Sequence, residues 1–295
     1  MKQIDIIGRS KIWLSLSSVL VITCIASLLA FGLNLGIDFT GGSLLDIRFE
    51  QTVEASAIEA ALSDLGHTVL VQASDDNGFL IRMETIDQEQ HDAVLTVLGS
   101  LGTFEELRFD SVGPVIGDEL QRASIWAMVI LLALIVLYVA WSFRKVSEPV
   151  ASWKYGLLTI GAAVHDVIIP LGIFAALGHF YGYQVDTAFV AALLTILGYS
   201  INDTIVIFDR TRENLTSNRH GDHSFGDIVN KSILQSFARS INTSFTTLLV
   251  LFAIFFFGGE TTKPFILALI IGVISGAYSS IFLASPLLVW WERKK

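Results

Sequence analysis

The stretch LTILGYSINDTIVIFDR, residues 194–210, decides how this chain is read. It suits hydrocarbon as far as Leu197, and then Ser200, Asn202 and Asp203 arrive before a further apolar run and the pair Asp209 and Arg210. A central Asp costs about 2.5–3.5 kcal/mol on membrane-insertion scales, so a carboxylate at that depth must be paired, neutralised by a proton or turned toward water. Ionisable groups inside membranes are functional candidates by default, and Asp203 is read as functional rather than as scaffold.

Working outward, the chain has 295 residues, of which 53% are hydrophobic and 16% charged, the balance of a membrane protein. A net charge of −9 without a basic surface argues against nucleic acid as a partner. The single cysteine, Cys24, sits in an apolar run, which leaves no disulfide framework and no cysteine metal site within the chain. A hydrocarbon core about 30 Å thick needs roughly 20 apolar residues per helix. Six runs of that kind lie near residues 12–33, 124–143, 155–179, 186–208, 240–257 and 265–290. The first is too long for a signal-peptide core and shows no convincing cleavage site, so it reads as a permanent anchor.

Lys and Arg set the orientation. Lys2, Arg9, Lys11, Arg144, Lys145, Lys154, Arg210, Arg212, Arg219, Lys231, Arg239, Arg293, Lys294 and Lys295 fall on one side, and Arg48, Arg82, Arg108, Arg122 and Lys263 on the other. The expected layout has a cytoplasmic N-terminus over 1–11, an exterior domain over 34–123, spans within 124–290 around a cytoplasmic loop at 209–238, and a cytoplasmic C-terminus over 291–295. The exterior domain holds seventeen Asp and Glu against four Arg. Its periodicity alternates between two residues, as at Leu45, Ile47 and Phe49, and helical spacing, as at Ile58, Ala61, Leu62 and Leu65. Further strands are expected around Val69 and Val71, around Phe79, Ile81 and Met83 after an Asp76-Asn77-Gly78 turn, and around Leu107 and Phe109. A second helix carries Val94, Leu95, Leu98 and Leu101, and Ser56 with Glu59 is expected to cap the first. The order βαββαβ is the ferredoxin-like arrangement.

Two glycine-bearing connectors flank this domain: GIDFTGG, with Gly36, Asp38, Gly41 and Gly42, and VGPVIG, with Gly113, Pro114 and Gly117. Turn chemistry explains both, and no Gly-Lys-Ser/Thr follows that would make a phosphate cradle. The third span contains His165 and Asp166 one turn before Pro170. In the fourth, Tyr199, Ser200 and Asp203 are expected on one face, beside Gly198, where another helix could approach. Counting from the outer ends of their spans, Asp203 lies about 24 Å deep and Arg239 about 27 Å, so an ion pair between them is geometrically open. Gly272 and Gly276 mark a helix-packing face. Ser224 and Asp227 introduce an amphipathic stretch, with Phe225, Ile228, Val229, Ile233 and Phe237, that is expected to form a helix along the inner leaflet, although a partner's docking surface would have the same pattern. No nucleophile–base pair or metal-ligand spacing supports an enzyme, and no metal or cofactor is expected.

GIDFTGG after the first span, VGPVIG before the second, His165-Asp166-Val167 in the third and GYSINDTIVIFDRTREN in the fourth together resemble the SecD/SecF family of protein-export membrane proteins. The resemblance runs over essentially the whole chain, and the small exterior domain suits the SecF type better than SecD. It implies membership of the resistance-nodulation-division (RND) superfamily and pairing with SecD in the bacterial inner membrane, beside the SecYEG channel and SecA. YajC, membrane lipid and the moving preprotein are the other partners it implies. It also implies use of proton-motive force, with Asp203 in the proton pathway and Arg239 as its partner; sodium in place of the proton stays open. Asn202, Ser200, His165 and Asp166 complete the candidate pathway. Two other readings stand beside this one: half of an exporter of small hydrophobic molecules or lipids, and a passive assembly factor whose polar residues only join helices.

Overall fold

A computed structural model describes residues 5–74, 77–142, 151–217 and 223–292. Lys2, Arg144, Lys145, Arg219 and residues 293–295, which carry part of the charge asymmetry, and Asp76 of the expected turn lie outside the described residues. In chain order the elements are α1 (Ser10–Phe31), α2 (Ile37–Thr40), β1 (Gly42–Phe49), α3 (Ala55–Ser63), β2 (Leu70–Ala73), β3 (Gly78–Met83), α4 (Gln88–Leu101), β4 (Phe104–Val112), α5 (Pro114–Ser142), α6 (Ser152–Tyr181), α7 (Thr187–Ser217), α8 (Phe225–Phe257), α9 (Lys263–Ser279) and α10 (Ser285–Glu292). A π turn over Ser280–Ala284 joins the last two. Six helical stretches are long and apolar enough to cross a membrane, with α9 and α10 counting as one.

The described chain divides into two compact units. The first comprises residues 34–126 and 182–187. Its four strands form one antiparallel sheet in the order β2-β3-β1-β4, the ferredoxin-like topology expected from the βαββαβ pattern. Leu45, Ile47, Phe49, Phe79, Ile81 and Met83 alternate inward and meet Ile58, Leu62, Val94 and Leu98 of α3 and α4, closing an apolar core. Asp87 and Gln90 form a reciprocal cap at the start of α4. The cap expected at α3 is absent: Glu54 holds the N-cap position without a side-chain bond, and Ser56 falls inside the helix. The alternation also fails at Leu107. A register shift between Asp46 and Ile47 leaves it between the paired residues Glu106 and Arg108, and it is exposed while Phe109 is packed.

The two connectors come together in this unit. Gly41 has φ of 74°, which favours glycine, and a Cβ there would stand 2.9 Å from the Pro114 Cα. A Cβ at Gly117 would stand 3.0 Å from the Gly41 nitrogen and the Phe39 carbonyl oxygen. VGPVIG is thus not a turn: Pro114 opens α5, ten residues before the expected start of the second span, and Gly117 lies inside that helix where a side chain would press on the GIDFTGG backbone. Gly113 has open space around it, and Gly36 donates its N–H to the Val185 carbonyl at 2.8 Å, inside a short parallel bridge between Leu35 and Val185. Asp38 accepts from the Thr187 N–H at 2.9 Å and from its hydroxyl. One carboxylate of the first connector therefore caps α7, far along the chain.

In the second unit, α1 lies on α6 through Gly172, where a Cβ would meet the Cys24 Cβ at 2.3 Å, and Ser27 donates to the Gly172 carbonyl at 2.8 Å. Gly272 of α9 packs on Ile196 of α7, and Gly276 on Ser200, so these glycines form the expected packing face. A Cβ at Gly198, by contrast, would meet nothing within 4 Å among the described residues. The expected loop over 209–238 is largely helical: α7 runs on to Ser217, and α8 begins at Phe225, capped by Ser224 and Asp227. The amphipathic stretch is the first part of the fifth crossing helix rather than a separate surface helix, because its buried face, Ile228, Val229 and Ile233, continues the packed face of α8 and joins one core with Tyr155, Phe208 and Leu288.

Candidate functional site

Helix α7 presents two buried polar faces. On the first, Ser200 donates not to Asp203 but to Asp166 Oδ2 of α6. Asp166 is fully buried and also receives the Ser279 hydroxyl at 2.6 Å on Oδ2, with the Ser275 hydroxyl at 2.7 Å and His165 Nδ1 at 2.8 Å on Oδ1. Three helices thus converge on one carboxylate, whose two oxygens have four neighbouring donor groups. Interhelical hydrogen bonds in membranes average about 0.6 kcal/mol, so the cluster fixes the helices where one bond would not. Pro170 lacks the N–H that would close a helical bond on the Asp166 carbonyl, and where α9 gives way to the π turn, Ser279 faces α6 while Ser280 faces α7. Ser280 Oγ lies 2.8 Å from Thr204 Oγ1 and 3.3 Å from the Ser200 carbonyl.

The second face looks to α8, which carries Ser232, Ser236, Ser240 and Ser244 as a buried stripe at intervals of four. Tyr199 donates to Ser244 at 3.2 Å, and Asn214 to Ser232 at 2.8 Å. Asp203, only 4% exposed, lies between them. Ser240 stands close enough to the Asp203 carboxyl to interact with it but outside hydrogen-bond geometry, so Asp203 Oδ2 and Ser240 Oγ are both buried and unpaired among the described residues. The ion pair considered with Arg239 is not made here: Arg239 is exposed and acts on Asp203 only through its charge. It lines, with Asp209, Arg210, Glu213, Gln235 and Ser236, a cleft of about 320 Å³ at the Ser217 end of α7. Asp209 and Arg210 pair within α7, with Arg212 and Glu213 respectively. Asn202 is exposed.

Of the nominated pathway residues, the structure therefore brings Ser200, His165 and Asp166 together, leaves Asp203 in the neighbouring seam, and sets Asn202 and Arg239 on the outside of the chain. Ser275, Ser279, Ser280 and the α8 stripe escaped the sequence reading. Their signal was present as hydroxyls four apart in apolar helices, which read equally well as neutral packing. Among the described residues no group of three or more His, Cys, Asp or Glu is placed to hold a metal ion.

Residues 93–294 match the family model described as protein export membrane protein SecD/SecF, C-terminal, and residues 26–53 match the SecD/SecF GG motif. The chain belongs to the SecD/SecF family. A relative from Thermobaculum terrenum, the protein translocase subunit SecF, is 43% identical over 99% of this chain and 95% of its own length. The crystal structure of SecDF from Thermus thermophilus, described as a translocon-associated membrane protein, matches with a TM-score of 0.87 and 34% identity; 99% of this chain covers 39% of that one. A second SecDF crystal structure, in a super-membrane-facing form, gives a TM-score of 0.71 with the same identity, again covering 39% of that chain. The family and the six long apolar helices make this a multi-pass membrane protein of the protein-translocation machinery.

Proposed function

We propose that this chain is the SecF-type half of a SecD–SecF unit that draws on proton-motive force to help pull preproteins across the bacterial inner membrane. Both termini lie in the cytoplasm and the strand-bearing unit in the periplasm. One observation carries the reading: Asp203 is a buried carboxylate with an oxygen that no described residue hydrogen-bonds, in a seam whose other face is a row of hydroxyls. A group held that way changes its interactions when it gains or loses a proton. The proton-free state draws toward Arg239; the protonated state can donate to Ser240. Each favours a different packing of α7 on α8, and the polar cleft at the Arg239 end gives the ion a route to the cytoplasm. One charge crossing the field yields about 2.3 kcal/mol per 100 mV, enough to bias two states a few kcal/mol apart.

Asn202 and Arg239, exposed on segments that would lie within a bilayer, are costly against lipid. A second helical half, SecD, covers them. Preprotein, SecYEG with SecA, and YajC are the further partners of that assembly, and no covalent chemistry is involved. The test is proton-driven export in vesicles with Asp203→Asn. Export falls by roughly fiftyfold at 100 mV, the factor equivalent to one charge's worth of field energy, while the protein still reaches the membrane. Undiminished export with a permanently neutral side chain there ends the proposal.

A further inference from the structure

We propose that Asp166 is a positioning residue whose four-donor cluster makes α6, α7 and the last crossing helix a single rigid block, so that movement linked to Asp203 is a movement of α8 along its seams with α7 and with that last helix. This rests on the reading of Asp203 given above and goes beyond it by naming what stays still. The two faces of α7 differ in kind. Toward α6 and α9 the polar groups are matched: both Asp166 oxygens are engaged, Ser280 bonds with Thr204, and Gly272 and Gly276 bring the backbones into contact with Ile196 and Ser200. Toward α8 the match is incomplete, since Asp203 Oδ2 and Ser240 Oγ lie near each other without closing a hydrogen bond, and neither has another partner among the described residues.

A packed, hydrogen-bonded interface has discrete arrangements and resists sliding, whereas one with buried unfilled donors and acceptors has somewhere else to go. Ser200 and Asp203 are three residues apart on one helix, so whatever fixes Ser200 also fixes the direction in which Asp203 points. Asp166 therefore acts on Asp203 through Ser200 and the helix between them. Two consecutive serines at the end of α9, Ser279 and Ser280, serve two different helices, since neighbouring residues on a helix point about 100° apart.

Spin labels at exposed positions test this in the full chain reconstituted in lipid nanodiscs, with Cys24→Ala to remove the native thiol. Val164 on α6, Thr195 on α7, Ile274 on α9 and Leu249 on α8 are all exposed and outside the polar clusters. Pulsed electron-resonance distances are compared between the native Asp203 and Asp203→Asn. The three distances among Val164, Thr195 and Ile274 stay fixed, while those to Leu249 shift by about 2 Å or more, the scale of a helix displacement. Movement among the first three overturns the block and leaves the reading of Asp203 standing. No movement anywhere overturns that reading, and this inference with it. In Asp166→Asn the distances within the block broaden and the shift at Leu249 on neutralising Asp203 is lost; if both persist as in the native chain, Asp166 is not the residue that holds the block.

Discussion

The two units of this chain differ in what they expose and in what they bury beside their apolar cores. In the strand-bearing unit the core is apolar, Leu45, Ile47, Phe49, Ile58 and Ile81 among its members, and the acids lie mostly outside. In the helical unit the exposed surface is apolar, with Leu29, Leu137, Leu249 and Phe257 all turned outward, and the interior sets His165, Asp166, Ser200, Asp203 and the α8 serines among buried apolar side chains such as Phe189 and Leu197. The difference follows from the solvent each faces. Water drives apolar groups together, so burial of hydrocarbon suffices to close the sheet on its helices. Lipid offers no such drive, and helices in it associate through close packing and hydrogen bonds, which is what the buried polar groups and Gly172, Gly272 and Gly276 supply. A unit held by hydrogen bonds can also be switched by a proton.

Substitutions break or sharpen that comparison. The largest effect is expected in the apolar core: Phe49→Ala costs the strand-bearing unit about 4 kcal/mol, read as lost hydrogen-exchange protection in β1 and β3 with the helical unit unchanged. In the helical unit the matching liability is ionic. Lys154, 5% exposed, reaches Glu292 at 2.7 Å, and Lys154→Met strands that carboxylate at a cost of about 3 kcal/mol in detergent thermal unfolding; adding Glu292→Leu recovers most of the loss. Smaller again is the cap on α7. Asp38→Ala costs about 1–2 kcal/mol, whereas Asp38→Asn, which keeps an accepting oxygen for Thr187, costs a few tenths; exchange at the first turn of α7 reports both. The smallest is Leu107→Ser, within about 0.5 kcal/mol of neutral, because the register shift leaves Leu107 exposed.

Much of this architecture is legible without coordinates. Six apolar runs follow from composition, and the two-residue and helical spacings of the exterior domain suffice for a ferredoxin-like order. Element ends were less legible where two signals overlapped. The amphipathic stretch after Ser224 looked like a surface helix because its charged side and its apolar side are both real, yet it continues into the fifth crossing helix without a break. VGPVIG looked like a turn because glycine and proline punctuate turns, while here proline opens a helix and Gly117 makes room for a neighbouring backbone.

The site divides along the same line. That Asp203 is a carboxylate in a hydrocarbon-length helix is fixed by composition and spacing, since both are local properties of one segment. That Ser200 serves Asp166 rather than its neighbour Asp203, that Ser275 and Ser279 complete the cluster, and that Asp38 caps a helix 149 positions away were decided only by tertiary structure. A side chain's partner depends on the rotation and separation of packed helices, here set in part by glycine contacts, and periodicity along a single helix carries no record of either.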